Sequence, residues 1–376
     1  MRLARMAFVI LALSVAGAAL TMAQQSASGP YRVLKMAKVG GDGGFDYISN
    51  NSAARRLYIP RRAPSGLTVF DLDTLAPVGS IPEVAAGGVA VDGASGHGFS
   101  TTKPITMWDA KTLKVIKTID VDGQPDGMDD FGGQIWVFSH QPPYATVIDA
   151  AQGTVVGTID LGGAPEQATS DGKGTVYVNI SNKANVAVVD AKTMTVTAHY
   201  DLSSKGVSGG SGLSLDAKNG ILFAYYRQPS PTVVILSAKD GHIITTLPTG
   251  AQVDTVAFIP DKMEAVSAEG AGSMTFIKEK SPTDFSVDET LTTLPGAKTL
   301  TVDAKTGHLY TMTAEYGPPP PAPAQPAAGG PPPGAGGPPM GGPPPAGGPG
   351  GPPNGGRPMR GPMLAGSFTI MMIGID

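Results

Sequence analysis

Four carboxylates and one amine recur along this chain at a spacing of about forty residues. Asp46, Asp126, Glu166, Asp254 and Lys298 each open an alternating apolar segment, and Gly87 and Ser211 stand at the same place in two others. If the seven segments surround a common axis, the carboxylates converge at one end of it. Such a ring could hold a hard cation such as calcium, which takes about six to eight oxygen ligands. It could equally bind a polyhydroxyl ligand, or form a hydrated rim with no ligand at all.

A second set of polar residues falls about half a repeat later. Arg61 and Arg62 ("YIPRR"), Lys103, His140 ("FSHQPP"), Asn182, Arg227 ("YYRQPS"), Glu269 and Glu315 lie in the following connections. His140 and Arg227, beside Tyr144 and Tyr226, form a recognition surface if these connections share a face with the ring. Taken singly, each is an ordinary solvated loop residue.

Catalytic signatures are missing. No Gly-x-Ser-x-Gly elbow, His-Glu-x-x-His, Walker loop or strand-to-helix Gly-x-Gly-x-x-Gly occurs. "GGSGLS" places Ser211 between glycines, but ahead of a strand and not at a strand-to-helix turn. The five histidines occupy non-equivalent repeat positions, so no metal triad follows from their spacing.

The elements that must position these residues are strands. Charged residues make up only 15% of the chain and aromatics 6%, whereas 51 Gly and 35 Pro favour short strands and tight turns over long helices. Net charge is −4 with scattered Lys and Arg, so no basic stripe suits a phosphate backbone, which speaks against nucleic acid as a partner. With no Cys, disulfides and thiolate-bound metals are excluded.

"LTVFDLDTLAPVGSI", "ITMWDAKTLKVIKTI", "ATVIDAAQGTVVGTI", "VAVVDAKTMTVTAHY" and "TVVILSAKDGHIITTL" share one grammar: an alternating run, an Asp-Ala-Lys-Thr-like turn, and a second alternating run. That is a hairpin. The turn-opening residues Asp71, Asp109, Asp149, Asp190 and Ser237 are 38, 40, 41 and 47 residues apart. A period near forty with four strands per unit predicts propeller blades. Strand pairs beginning near Phe45, Gly87, Asp126, Glu166, Ser211, Asp254 and Lys298 bring the number of blades to seven.

The seventh blade is split. "KTLTVDAKTGHLYTMT" supplies its first two strands and "GSFTIMMIGID" its third, with Asp376 at the turn-opening position. The fourth comes from the other end of the chain: "YRVLKMAKVGG" resembles "LKVIKTIDVDG" of the second blade. Pairing the first strand with the last closes the ring and buries both apolar ends. Between them, residues 317–365 form a Pro/Gly-rich insertion too poor in bulky apolar residues to offset its ordering entropy, for which disorder with polyproline II character is expected.

Residues 1–23 have the basic start, apolar run and small residues of a cleaved secretory signal, and residues 24–30 a short extension before the propeller of 31–376. A retained anchor is the alternative, though the apolar run is shorter than the roughly 20 residues that span a bilayer. The expected product is monomeric and periplasmic or secreted, with no membrane span after cleavage.

"VYVNISNKANVAVVDAKTMTVTAHYDL", "GGFDYISNNSAARRLYIPRR" and "GGAPEQATSDGKGTVYVNIS" resemble the repeats of secreted bacterial YVTN-repeat, YncE-like β-propellers. The likeness covers about Tyr31 to Asp376 without the insertion; blade six, "SMTFIKEKSPTDFSVDETLTTL", departs most, lacking the Asp turn and having a longer loop. What the resemblance implies is an all-β, seven-bladed fold. For function, the repeats point to an extracytoplasmic scaffold that recognises a ligand or cell-envelope protein on the channel-mouth face, without a cofactor. The alternative is a metal-assisted, lactonase-like hydrolase, because some propellers similar to this one place carboxylates around a channel cation.

Overall fold

The computed structural model describes residues 29–318 and 361–375. Within them the chain forms seven four-stranded antiparallel sheets; besides strands there are two single 3₁₀ turns, Ser203–Lys205 and Pro260–Lys262. Six sheets are sequential. The first runs from the inner strand Ser49–Asn51 through Arg56–Ile59 and Leu67–Asp71 to the outer Pro77–Ile81. The expected all-β, seven-bladed propeller is therefore the observed fold.

The seventh sheet runs Leu300–Val302, Leu309–Thr313, Thr369–Gly374, Arg32–Lys38, so the first and last strands are neighbours. Val33 lies opposite Ile373, and Lys38 opposite Thr369, with one bulge between Val33 and Lys35. Strand alternation sends the terminal side chains two ways. Ile370 and Met372 enter the cluster of Phe45, Ile59 and Phe70 on the blade-one side, while Met371 and Ile373 join Phe276 and Leu291 on the blade-six side. A strand buried on both faces reads as an unbroken apolar run, which accounts for the unusual apolar end of the chain. Each such side chain contributes about 1.5–3 kcal/mol by leaving water.

The Asp-Ala-Lys-Thr turns owe their recurrence to one carboxylate. Asp71 Oδ1 accepts from Asp73 N (3.1 Å), Thr74 N (2.9 Å) and Thr74 Oγ1 (2.8 Å), and Asp109 repeats this with Lys111 and Thr112. The next residue adopts left-handed backbone, at Leu75, Leu113, Gly153 and Met194, and each hairpin bulges at the following pair. These hydrogen bonds stabilise the charged form and hold Asp71, Asp109 and Asp190 below the usual carboxylate range.

Blade six corrects one sequence expectation. In place of a longer loop it has longer strands, Ser273–Ser281 and Asp284–Thr292, with Ser281 opposite Asp284 across a two-residue turn. In blade seven the hairpin joining strands two and three continues past them: Tyr316 bridges Met363, Gly317 N donates to Pro362 O (2.8 Å), and Leu364 N donates to Glu315 O (2.8 Å). The remainder of the 317–365 insertion, the expected signal of residues 1–23, most of the 24–30 extension and Asp376 lie outside the described residues.

Candidate functional site

Seven inner strands start at one end of the channel, and the residues there form its mouth. The blade-five-to-seven side is internally committed. Lys298 Nζ donates to Asp46 Oδ1 (2.9 Å) and to Asp254 Oδ2, while Arg227 Nη2 donates to Asp254 Oδ1 and its Nε to Val253 O (2.7 Å). Burial raises the Asp46 pKa even though Lys298 opposes it. For Lys298 burial acts downward, but Asp254 and Asp46 more than offset it and its pKa is raised. Two cations here satisfy two carboxylates.

The blade-two-to-four side is less committed. His140 Nε2 stands 3.7 Å from Asp126 Oδ2 and 3.6 Å from Glu166 Oε1, beyond good hydrogen-bond length to either. Glu166 also accepts from Tyr47 Oη (3.0 Å), and burial raises its pKa, with Arg227 opposing. Burial, then Glu166, pushes the Tyr47 phenol well up, so it stays protonated as the donor. Arg62 is exposed and lies over Gly87; its guanidinium has no hydrogen-bond or ion-pair partner among the described residues.

One step below the mouth, side chains cross the channel. Tyr47 reaches from blade one towards blades three and four, where a Cβ on Gly127 would come 3.5 Å from its ring. From blade four, Gln167 clasps blade six, its Nε2 donating to Val256 O (2.8 Å) and its Oε1 accepting from Val256 N (2.9 Å). Below these rungs lies a cavity of about 220 Å³, bordered by Tyr47, Gln167, Met128, Asp129 and Thr301 among others. Burial, reinforced by Asp130, raises the Asp129 carboxyl to about 7. The mouth is thus a cup with a floor of Tyr47 and Gln167.

Several sequence candidates are placed elsewhere. Arg61 is buried: it is 1% exposed, its guanidinium carbon lies 3.7 Å above the centre of the Phe368 ring, and Nη2 donates to Asp42 O (2.8 Å). It pins blade seven to blade one, and burial lowers its pKa to about 10. Glu269 is also buried, accepting from Thr249 Oγ1 (2.8 Å), Gly250 N (3.0 Å) and Ser267 Oγ (2.8 Å). Arg61 forms a bridge with Phe45 and Glu269 ends the strand Glu264–Glu269, and both side chains satisfy backbone groups of neighbouring segments. Tyr226 and Ser211 are buried as well, whereas Glu315 is exposed and pairs loosely with Lys38 at 3.5 Å. The structure therefore brings together Asp46, Asp126, Glu166, Asp254 and Lys298 with Arg62, His140 and Arg227, and leaves out Arg61, Glu269 and Glu315.

Sequence reasoning missed Tyr47, Gln167 and Asp129. Extending the same repeat alignment inward by one and three positions would have found them, since Tyr47 and Gln167 fall level with the glycines 88, 127 and 212. Among the described residues, no group of three His, Asp or Glu side chains is arranged to hold a metal ion. Lys298 Nζ stands between Asp46 and Asp254, where a divalent cation bound by the ring would be, so the donors present do not fit calcium at that place. No described helix is long and apolar enough to cross a membrane.

No family model matches the chain, and no curated protein does. Solved structures match in fold. The hydrazine synthase of Kuenenia stuttgartiensis superposes with a TM-score of 0.62 at 14% identity, covering 72% of this chain and 92% of that one. The RRP9 WD40 repeats give 0.63 at 11% identity, covering 76% and 90%, and U3-55K gives 0.62 at 10%, covering 75% and 90%. At these identities the likeness shows the fold alone, a β-propeller.

Proposed function

We propose that this chain is an exported binding scaffold of the YVTN-repeat type, which recognises a small ligand or a cell-envelope partner at the mouth of its channel. The observation that carries this reading is the uneven commitment of the mouth. Asp46, Lys298, Asp254 and Arg227 saturate one another, whereas Arg62, Asp126, His140 and Glu166 keep hydrogen-bonding capacity directed to solvent. Rigidity supports it too, because Tyr47 and Gln167 tie opposite blades together beneath the cup and preorganise its rim. The WD40-like fold neighbours belong to an architecture suited to interaction surfaces on loops. Export rests on residues 1–23.

The test is retention on immobilised protein. Wild type is expected to retain a component of a bacterial envelope fraction that the Arg62→Ala/His140→Ala variant releases, with both proteins equally folded. Identical retention by the two would remove the mouth from consideration. The hydrolase alternative requires a cation among the mouth carboxylates; bound metal in the purified protein, together with lactone hydrolysis lost in Asp126→Ala or Glu166→Ala, would replace the scaffold reading by that one.

A further inference from the structure

At the mouth, Gly87 takes the place that Asp126, Glu166 or Lys298 has in other blades, and its missing side chain leaves a notch. A Cβ built on Gly87 would lie 3.1 Å from Arg62 Nη2 and 3.6 Å from Asp126 Oδ1. A guanidinium donor and a carboxylate acceptor therefore both flank Gly87, and no side chain of residue 87 screens them from an incoming group. The stem of Arg62 passes over a second glycine, Gly44, with Cδ 3.6 Å from where its Cβ would be. Neither glycine is needed there for left-handed backbone, since neither has a positive φ. Room for Arg62 and for an incoming group is what these positions provide.

Charge argues against a simple anion or a simple ammonium ion there. Four carboxylates at the mouth, Asp46, Asp126, Glu166 and Asp254, face three permanent cations, Arg62, Arg227 and Lys298, with His140 between two of the acids. An anion bound by Arg62 would sit against Asp126, and an ammonium bound by Asp126 would sit against Arg62. Either is opposed by the adjacent like charge at short range. Adjacent hydroxyls meet neither penalty: one accepts from Arg62 while its neighbour donates to Asp126, and further hydroxyls reach His140 and Glu166. Resting on the binding reading above, we infer that the ligand of the mouth is an uncharged polyhydroxyl group, a neutral saccharide, with a vicinal pair of its hydroxyls over Gly87 bonded to Arg62 and Asp126.

The test titrates wild type, Arg62→Ala and Gly87→Ala with maltotriose, cellotriose and chitotriose. Glycerol 3-phosphate and glycylglycine serve as anionic and zwitterionic comparators, and binding is read by calorimetry and by ligand-observed NMR. Gly87→Ala is the decisive variant, because its methyl group fills the notch while the nearest atom is the far end of an exposed side chain that can move aside. Saturable binding of at least one trisaccharide is expected, weakened tenfold or more in both variants, with unchanged melting temperatures and no comparable binding of the charged probes. The inference is overturned if no trisaccharide binds, if binding is the same in all three proteins, or if a charged probe binds more tightly. Should saccharides fail while an envelope component is still released by Arg62→Ala/His140→Ala, the ligand class is wrong and the scaffold reading stands. If both fail, both fall.

Discussion

The two halves of the channel mouth start from equivalent positions of one repeat and end in opposite states. On the blade-five-to-seven side, Lys298 and Arg227 are consumed by Asp46 and Asp254. On the blade-two-to-four side, Gly87 replaces a charged residue, His140 stands at arm's length from two acids, and Arg62 is unpaired among the described residues. The lesson is that a ring of ionisable residues is not one site. Its members divide according to whether a counter-charge from a neighbouring blade reaches them, and only those left over can serve a ligand.

Substitutions should separate the halves. Lys298→Met strands Asp46 in a poorly hydrated place and leaves Asp254 to Arg227 alone, and breaking such a buried pair costs about 3–5 kcal/mol. Urea unfolding should show that loss, and an effect below about 1 kcal/mol would mean the quartet is solvated like an ordinary surface pair.

A third region sharpens the contrast, because it has buried acids and no cation. Between blades five and six, Glu279 faces Asp216; both are nearly fully buried, and Glu279 Oε2 and Asp216 Oδ2 have no donor. Asn219 Nδ2 donates to the other Glu279 oxygen (2.7 Å). A proton on Glu279 resolves the conflict. Burial, with Asp216 adding to it and Asn219 opposing, raises Glu279 from 4.5 to about 7. The folded state therefore keeps a proton that the unfolded chain releases, so this group's contribution is complete below pH 4.5 and is lost as pH rises to about 7. Glu279→Gln, which needs no proton, should gain on wild type by on the order of 2 kcal/mol across that window. Parallel stability curves for the two proteins from acid to neutral pH would show that Glu279 keeps no proton.

Smaller effects are expected at the floor and the rim. Tyr47→Phe removes the donor to Glu166 and should cost about 1 kcal/mol while leaving the channel blocked. Arg62→Ala should change stability by no more than about 0.5 kcal/mol, as for an exposed side chain with no partner. If Arg62→Ala proved as costly as Lys298→Met, the proposed division of the mouth would be wrong.

Much of this was legible in the residues. The Asp-Ala-Lys-Thr turns recur because each Asp carboxylate satisfies the same local backbone donors, and local chemistry leaves a local signature. The apolar Ile370–Ile373 run announced a strand covered on both faces, and Val33 and Ile373 are indeed partners. Arg61 and Glu269 were misread for the opposite reason. Their partners, the ring of Phe368 for one and Thr249 for the other, are brought up by folding and cannot be told from solvent in a linear reading.

By itself the sequence determined the repeat and the number of blades, because hairpins and strand alternation depend on neighbours close along the chain, and it showed the circular closure as a blade whose fourth strand stands at the other end of the chain. Only the tertiary structure decided which of the mouth residues are spent on one another and which remain to meet a ligand. Asp254 and Arg227 are 27 positions apart, Lys298 and Asp46 252, and Coulomb attraction acts on the final separation in space, whatever the distance along the chain.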